Sequence, residues 1–306
     1  MKKKKINQNI PLALFFAFLL IYLVILSLVT SEQEAKGKIL IPISLADITS
    51  FSIHNDRLQT TIRREGNIWR ADNIPQLKLS KQDIDTFLEE IRTIQYKREI
   101  ENQTDLLPFG LAQSNNLISL STTKNKWTII LGNPTSSGKE NYVKVNGRIH
   151  IIPSKYKDLF TKDLFTFRAK EFFNFNTDHI SRIDISHNGK RIILEKKEEK
   201  WGLSYPSIRE IPPETPNTIL FQFESLMISK FIEGGNIDLS YHGLPSNNQV
   251  VLTTDRGINH KITFGKVTDG GIYAMKNDNP SLLYVVDPYL AETRLDGLIQ
   301  EILEKK

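Results

Sequence analysis

Apolar and polar positions largely alternate over residues 47–53, with Ile48, Phe51 and Ile53 on the apolar side. That is the period-2 pattern of a half-buried strand. A turn at His54-Asn55-Asp56 leads to a second alternating stretch at 59–63. Gly66-Asn67 then leads to a third at 68–70, so a three-stranded antiparallel meander is predicted. Ser80 is placed as a helix N-cap with Asp83 three residues on, and Ile84, Phe87, Leu88, Ile91 and Ile94 follow at helical spacing. This predicts an amphipathic helix over 80–95 that packs on the sheet. Beyond Gly110-Leu111 the alternation returns at 117–121 and 127–131, around a turn at Lys124-Asn125. It returns again at 141–145 and 149–152 around Asn146-Gly147, a strong hairpin signal. A short helix is predicted over 153–160.

The whole pattern occurs twice. Ile48, Phe51, Ile53, Ile62 and Trp69 recur as Ile180, Ile183, Ile185, Leu194 and Trp201, an offset of 132. Phe109-Gly110-Leu111 recurs as His242-Gly243-Leu244, and Leu131-Gly132 as Phe264-Gly265, an offset of 133. Tyr142 matches Tyr273, and Ile151-Ile152 matches Val285-Val286. A duplicated unit of this length is a folded domain used twice. The second copy is predicted to hold strands at 180–185, 191–195 and 201–203, and then a helix at 214–229. Ile219, Leu220, Phe223, Leu226 and Met227 form the apolar face of that helix. Strands at 249–254, 260–264, 271–275 and 282–286 follow, with a last helix over 288–304. Strands outnumber helices and the connections are short hairpins. The fold class expected is therefore α+β: two tandem copies of an antiparallel sheet unit with packed helices.

The first thirty residues follow neither pattern. Lys2, Lys3, Lys4 and Lys5 precede an apolar run from Ile10 to Val29 broken only by Pro11, Tyr22 and Ser27. About 20 helical residues at ~1.5 Å each span the hydrocarbon core of a bilayer. One N-terminal transmembrane helix is therefore expected. The run is longer than the apolar part of a cleaved secretory signal, and Leu26-Ser27-Leu28-Val29-Thr30-Ser31 is a poor cleavage site. The four lysines orient the N-terminus toward the cytoplasm, which places the bulk of the chain in the periplasm or extracytoplasmic space. The expected divisions are a basic cytoplasmic tail at 1–9, an anchor at 10–30 and a stalk at 31–40. Copy one then occupies 41–165 and copy two 166–306.

Charge and cysteine usage narrow the function. The net charge of +5 is mostly the N-terminal tail; beyond residue 30 the chain holds 36 basic against 35 acidic residues. The basic balance therefore points to no nucleic-acid partner. The chain has no cysteine, which removes disulfides, thiolate nucleophiles and cysteine metal sites together. Each copy must hold together by its apolar core, and about 130 residues suffice for one.

Apparent catalytic motifs fail on spacing. Gly132 to Lys139 has five residues between its glycines, Glu140 where a phosphate loop needs Ser or Thr, and a strand where it needs a helix. Ser121-Thr122-Thr123-Lys124 has the Ser-x-x-Lys form but lacks the partner motifs and sits in a hairpin. The six histidines do not cluster: His179 and His187 flank Asp184 on alternating strand positions that cannot gather around one metal. Thr268-Asp269-Gly270-Gly271 offers a single carboxylate in a turn. Neither a catalytic set, a cofactor nor a metal is expected. Trp69 and Trp201, at equivalent positions, are expected in the two cores. The candidate partner contacts are the places where the copies disagree: Trp127 against His260, Phe109 against His242, and Pro134 against Val267.

The combined signature is specific. It comprises the N-terminal apolar segment, Asp47-Ile48-Thr49-Ser50-Phe51-Ser52-Ile53, and Gly66-Asn67-Ile68-Trp69-Arg70. Phe109-Gly110-Leu111, Ile130-Leu131-Gly132-Asn133-Pro134, Tyr142-Val143-Lys144-Val145 and Ile149-His150-Ile151-Ile152 complete it. It resembles the family called domain of unknown function 4340, over nearly all of residues 40–290. The second copy departs from the pattern where His242 replaces the aromatic residue and Val267 the proline. The resemblance implies a bacterial, membrane-anchored protein with no established enzymatic activity and no catalytic residues to assign. Some members are encoded beside ABC transporter components of the gliding-motility type. The function expected is a non-enzymatic, extracytoplasmic accessory or scaffold protein at the bacterial inner membrane, with ABC transporter subunits as partners. The alternative is an envelope glycan- or peptide-binding protein using the cleft between copies. A hydrolase would need a site assembled only on folding.

Overall fold

The computed structural model describes residues 19–22, 37–101, 103–290 and 294–304. Lys2 to Lys5 and nearly all of the expected anchor lie outside the described residues. Among the described residues, no helix is long and apolar enough to cross a membrane. The chain divides into two compact units between Arg168 and Ala169.

In unit one, β1 (Lys38–Ile39) precedes a meander of β2 (Ile48–His54), β3 (Gln59–Glu65) and β4 (Ile68–Ala71). Helix α1 (Lys81–Arg92), β5 (Gln95–Tyr96) and β6 (Arg98–Ile100) follow. The unit continues with β7 (Leu117–Thr122), β8 (Lys126–Pro134), β9 (Glu140–Val145), β10 (Arg148–Pro153) and a short α2 (Leu164–Phe167). Eight of these strands form one antiparallel sheet in the order β4-β3-β2-β7-β8-β9-β10-β6. The chain thus leaves the sheet at one edge, crosses it as α1, adds β6 at the far edge, and returns through 101–116 to place β7 beside β2. Ser80 caps α1 by accepting the Asp83 N–H at 3.2 Å. Ile84, Phe87, Leu88 and Ile91 are the buried side of α1. Phe51 gathers the core, with Phe87 at 5.4 Å, Phe167 at 5.7 Å and Trp69 at 5.8 Å between ring centroids.

Unit two repeats the order. It runs through β11 (Ile180–His187), β12 (Lys190–Lys197), β13 (Lys200–Tyr205), β14 (Arg209–Glu210) and helix α3 (Glu214–Glu224). After β15 (Ile228–Glu233) come β16 (Gln249–Thr254), β17 (Asn259–Thr268), β18 (Gly271–Lys276), β19 (Leu282–Val286) and α4 (Leu295–Glu304). Its sheet order, β14-β13-β12-β11-β16-β17-β18-β19-β15, is that of unit one with a two-residue strand added at one edge. The architecture is antiparallel sheet with few helices. Trp69 and Trp201 are both buried in the cores expected of them.

Several expected boundaries change. The helix expected over 80–95 stops at Arg92, and Gln95–Tyr96 instead pair with Lys38–Ile39. Because of that pairing the chain joins the unit from Lys38 onward, and Leu40 and Ile41 are buried in its core. The helix expected over 214–229 stops at Glu224. Ile228 to Glu233 form the edge strand β15 on β19, and Met227, expected on the apolar helix face, is 49% exposed. A short apolar run is compatible with either period, and the free edge of β19 decides it. Residues 154–159 form a 3-10 helix. Of the helix expected over 288–304, Leu295–Glu304 is a regular α-helix.

The return segments are fastened by a backbone clasp that both units share. Gly110 takes φ 66° and donates to the Leu107 carbonyl at 3.0 Å, while Leu111 N–H donates to Leu106 at 3.1 Å. This brings the Phe109 carbonyl onto Gly132, where a Cβ would stand 2.3 Å from it. Ser114 Oγ donates to the Leu131 carbonyl beside it. In unit two, Gly243 takes φ 74°, and the His242 carbonyl lies 2.2 Å from where a Cβ on Gly265 would be. Ser246 Oγ donates to Phe264, and Lys266 N–H donates to the His242 carbonyl at 2.8 Å. Leu244, Met275 and Leu283 form a small second core under this segment, apart from the main core of unit two.

Gly265→Ala should therefore destabilise unit two by about 1–3 kcal/mol, since backbone must move to admit one methyl group. Gly297→Ala, in α4 with no atom within 4 Å of the new methyl, should stabilise by about 0.5–1 kcal/mol. Urea denaturation followed by tryptophan fluorescence checks both signs.

Candidate functional site

The positions marked by disagreement between the copies hold equivalent places. Phe109 meets Tyr142 edge-on at 4.9 Å, and His242 meets Tyr273 edge-on at 4.5 Å. His242 Nδ1–H donates to the Asp238 carbonyl at 2.7 Å, which leaves Nε2 as the acceptor nitrogen. The Asp238 carboxylate caps this turn, and its pKa is lowered first by the Ser240 hydroxyl and then by the Tyr241 N–H. Tyr241 beside it is 68% exposed. Trp127 is half-buried and packs against the core of unit one. Its counterpart His260 is half-buried near Phe173 and Phe175, with ring centroids at 6.2 and 5.4 Å. Pro134 ends β8, whereas Val267 on β17 is 53% exposed.

The apparent catalytic motifs are turns. Residues 135–139 connect β8 to β9, closed by Thr135 N–H to Glu140 O at 2.8 Å and Gly138 N–H to Thr135 O at 2.9 Å. Thr122 Oγ1 accepts the N–H groups of Lys124 and Asn125 in the hairpin at 122–125. His179 Nδ1 lies 3.0 Å from Asp255 Oδ2, while Asp184 is bonded to Arg191 at 2.8 Å. Among the described residues no group of three or more His, Asp or Glu side chains could hold a metal ion.

A surface that the repeat does not mark is better suited to binding. In unit two, α3, the turn after it and the segment following β19 frame a depression of about 390 Å³. Phe221, Met227 and Tyr289 form its rim at 66%, 49% and 56% exposure, over buried Leu226 and Leu290. Thr218, Gln222, Ser225, Asp287 and Arg294 supply its polar groups. Asp287 accepts the Tyr289 N–H at 2.8 Å, and the Arg294 guanidinium lies 5.8 Å from the Tyr289 ring centre. Gln222 Oε1 is buried there with no hydrogen-bond partner. A second depression of about 510 Å³ shares Met227 and Asp287 and continues to Thr268 and the turn at Gly270-Gly271.

Unit one lacks this surface for identifiable reasons. The C-caps Thr93 and Ser225 set the helices in register, so Glu89 stands where Phe221 does. Glu89 is tied to Arg92, and it lines a separate depression of about 550 Å³ beside residues 39–45. The pairs Ile151–Tyr142 and Val285–Tyr273 put Tyr156 where unit two has Leu290. The Tyr156 hydroxyl donates to the Thr93 carbonyl at 3.4 Å. The sequence signal for Phe221 was present. It follows Leu220 directly, so it falls off the face made by Ile219, Leu220 and Phe223, on the side where an amphipathic helix is polar.

Residues 69–246 match the family described as Domain of unknown function (DUF4340). No curated protein and no solved structure matches the chain.

Three histidines give the fold an acid sensitivity. Burial lowers the pKa of His150, His187 and His260 below the ordinary imidazole value. His187 and His150 each leave Nδ1 buried without a hydrogen-bond partner; the Asp296 carboxylate lies 4.0 Å from His187 Nε2 and the Glu99 carboxylate 4.0 Å from His150 Nδ1. Each imidazole takes up its proton more readily in the unfolded chain. Stability is thus complete above the unfolded pKa near ~6.5, declines as pH falls through it, and levels off below the lowered folded value. The urea midpoint should drop between about pH 7.5 and 5. His187→Gln should show a smaller drop than the unaltered protein.

Proposed function

The chain belongs to the DUF4340 family, and from that premise we propose that it is a non-enzymatic, membrane-anchored accessory protein of the cell envelope. Its described units act as a scaffold outside the membrane, serving an ABC-type transport system. The observation that carries this reading is the divergence between the units. They share sheet order, clasp and core, yet unit two replaces the Glu89–Arg92 ion pair of unit one with an exposed Phe221 beside Met227 and Tyr289. Exposed aromatic and methionine side chains gathered at one place are what a protein–protein contact uses. The apolar run at 10–29 and the lysines before it support the anchor and its orientation.

A second reading, an envelope binding protein for glycan or peptide, is favoured by one feature of the same surface. Arg294, Gln222 and Thr218 converge with apolar side chains in a depression of about 390 Å³, the mixture typical of a ligand site.

Affinity purification of the full-length protein from gently solubilised membranes distinguishes these. ABC transporter subunits should be recovered with it, and Phe221→Glu should reduce their recovery. That side chain is 66% exposed, so the variant should keep its melting temperature within a few degrees. Recovery of the protein alone would count against the accessory reading.

A further inference from the structure

We propose that the segment opening unit one, Ile39 to Leu45, lies in the interfacial layer of the bilayer that holds the anchor, so that unit one rests on the membrane surface. The inference rests on the anchor of the accessory reading and adds the surface that faces the lipid. The tether sets its reach. The apolar run ends at Val29 and the described chain resumes at Gly37. Residues 30–36 between them span at most about 25 Å when fully extended. No longer stalk follows, because Lys38–Ile39 already pair with Gln95–Tyr96. Ile39, Pro42, Ile43 and Leu45, which line the depression of about 550 Å³, come directly after that tether.

Unit two shows that the fold does not call for these side chains. Leu40 N–H donates to the Ile94 carbonyl at 2.8 Å, and Phe172 N–H to the Leu226 carbonyl at 2.9 Å. Residues 39–45 therefore correspond to 171–177, at the offset of 132. Exposure agrees at every position: 39 and 42 are exposed, 40 and 41 buried, 43 and 45 half-buried, and their counterparts are the same. The buried pair is apolar in both units, Leu40-Ile41 and Phe172-Phe173. The outer positions differ. Unit two carries Glu171, Asn174 and Thr177 where unit one carries Ile39, Pro42 and Leu45. One backbone thus accepts a polar surface, and apolar side chains occupy it only in the copy that adjoins the apolar run. An exposed apolar patch that folding does not require marks a contact, and beside a membrane tether the surface within reach is the lipid interface. Charge does not carry it. Glu89 and Arg92 in the depression are paired with each other, and residues 31–38 hold Glu32 and Glu34 against Lys36 and Lys38.

The chain has no cysteine, so one introduced thiol alone takes a bimane label. Ser44 lines the depression and its side chain caps no helix, so Ser44→Cys places the probe there. In the full-length protein reconstituted in phosphatidylcholine vesicles, lipid carrying a nitroxide near its headgroup should quench most of the emission. Raised salt should leave that quenching unchanged. Asn174→Cys, labelled alike on unit two, should lose little. Ile39→Glu with Pro42→Asn, added to Ser44→Cys, should remove most of the quenching; the same backbone already carries those side chains in unit two. Equal quenching at 44 and 174, quenching that salt abolishes, or quenching that survives the double exchange would overturn the proposal. A probe at 44 shielded from iodide but untouched by nitroxide lipid would also overturn it, by assigning the depression to protein. Flotation of the vesicles keeps the two readings apart. Protein that fails to float removes the anchor and the contact with it, whereas protein that floats with an unquenched probe removes the contact alone.

Discussion

In each unit a peptide carbonyl rests on a bare α-carbon: residue 109 on Gly132, and residue 242 on Gly265. A Cβ at either glycine would stand 2.3 or 2.2 Å from that oxygen. The contact matters because of the path the chain takes. The middle of each sheet pairs β2 with β7, or β11 with β16, strands separated by an excursion to both edges. The ladder between them forms only if the return segment is held on the sheet, and its ordering opposes that. The clasp meets this with backbone hydrogen bonds and a left-handed glycine, so its cost in side-chain entropy is small. Ser114 and Ser246 bond the strand carbonyls next to the contact, and so complete the same arrangement twice.

This explains which parts of the repeat are legible in the sequence. The two halves of the motif, Phe109-Gly110-Leu111 and Leu131-Gly132, stand out because backbone geometry demands glycine. That they meet is a tertiary fact with no local signal. Strand alternation likewise revealed the meanders and hairpins, since one face of each strand is buried. The edge strands are another matter. Ile228 and Ser229, the start of the strand that runs to Glu233, read as the end of a helix because Phe223, Leu226 and Met227 are compatible with either period. What makes that stretch a strand is the open edge of β19, far away in sequence. Lys38–Ile39 were masked in the same way by a polar neighbourhood and join the unit through Gln95–Tyr96.

The candidate contacts were legible only in part, and for a related reason. Comparing the copies position by position picked out 109 against 242 and 127 against 260. At 109 and 242 both side chains are rings set edge-on to a tyrosine, so the change from Phe to His preserves a packing role. At 127 and 260 both lie against their own unit's aromatic or aliphatic core. The larger divergence sits on the outer side of the crossing helix, where no motif anchors the alignment. Only the C-caps Thr93 and Ser225 place Glu89 opposite Phe221.

That location follows from the division of constraints within the unit. In unit two the sheet is committed on one face to the main core, and around Met275 and Leu283 its other face packs under the return segment. The helix answers to the sheet along one stripe, Ile84 to Ile91 in unit one and Ile219 to Phe223 in unit two. Its opposite side borders flanking segments of the same unit, residues 39–45 in unit one and Asp287 to Leu290 in unit two, without being buried by them. Glu89 and Arg92 there contribute little to stability, because solvent screens an exposed ion pair and holding two long side chains together costs entropy. Exchange of such a pair for Phe221 is nearly free for folding, and so is the shortening from Tyr156 to Leu290, whose hydroxyl contact is a long one at 3.4 Å. Duplication then supplies one copy to keep a charged flank while the other acquires an apolar one. A protein that acts through contacts rather than chemistry would change in this way. Its new function would lie on a surface that the shared fold leaves unassigned.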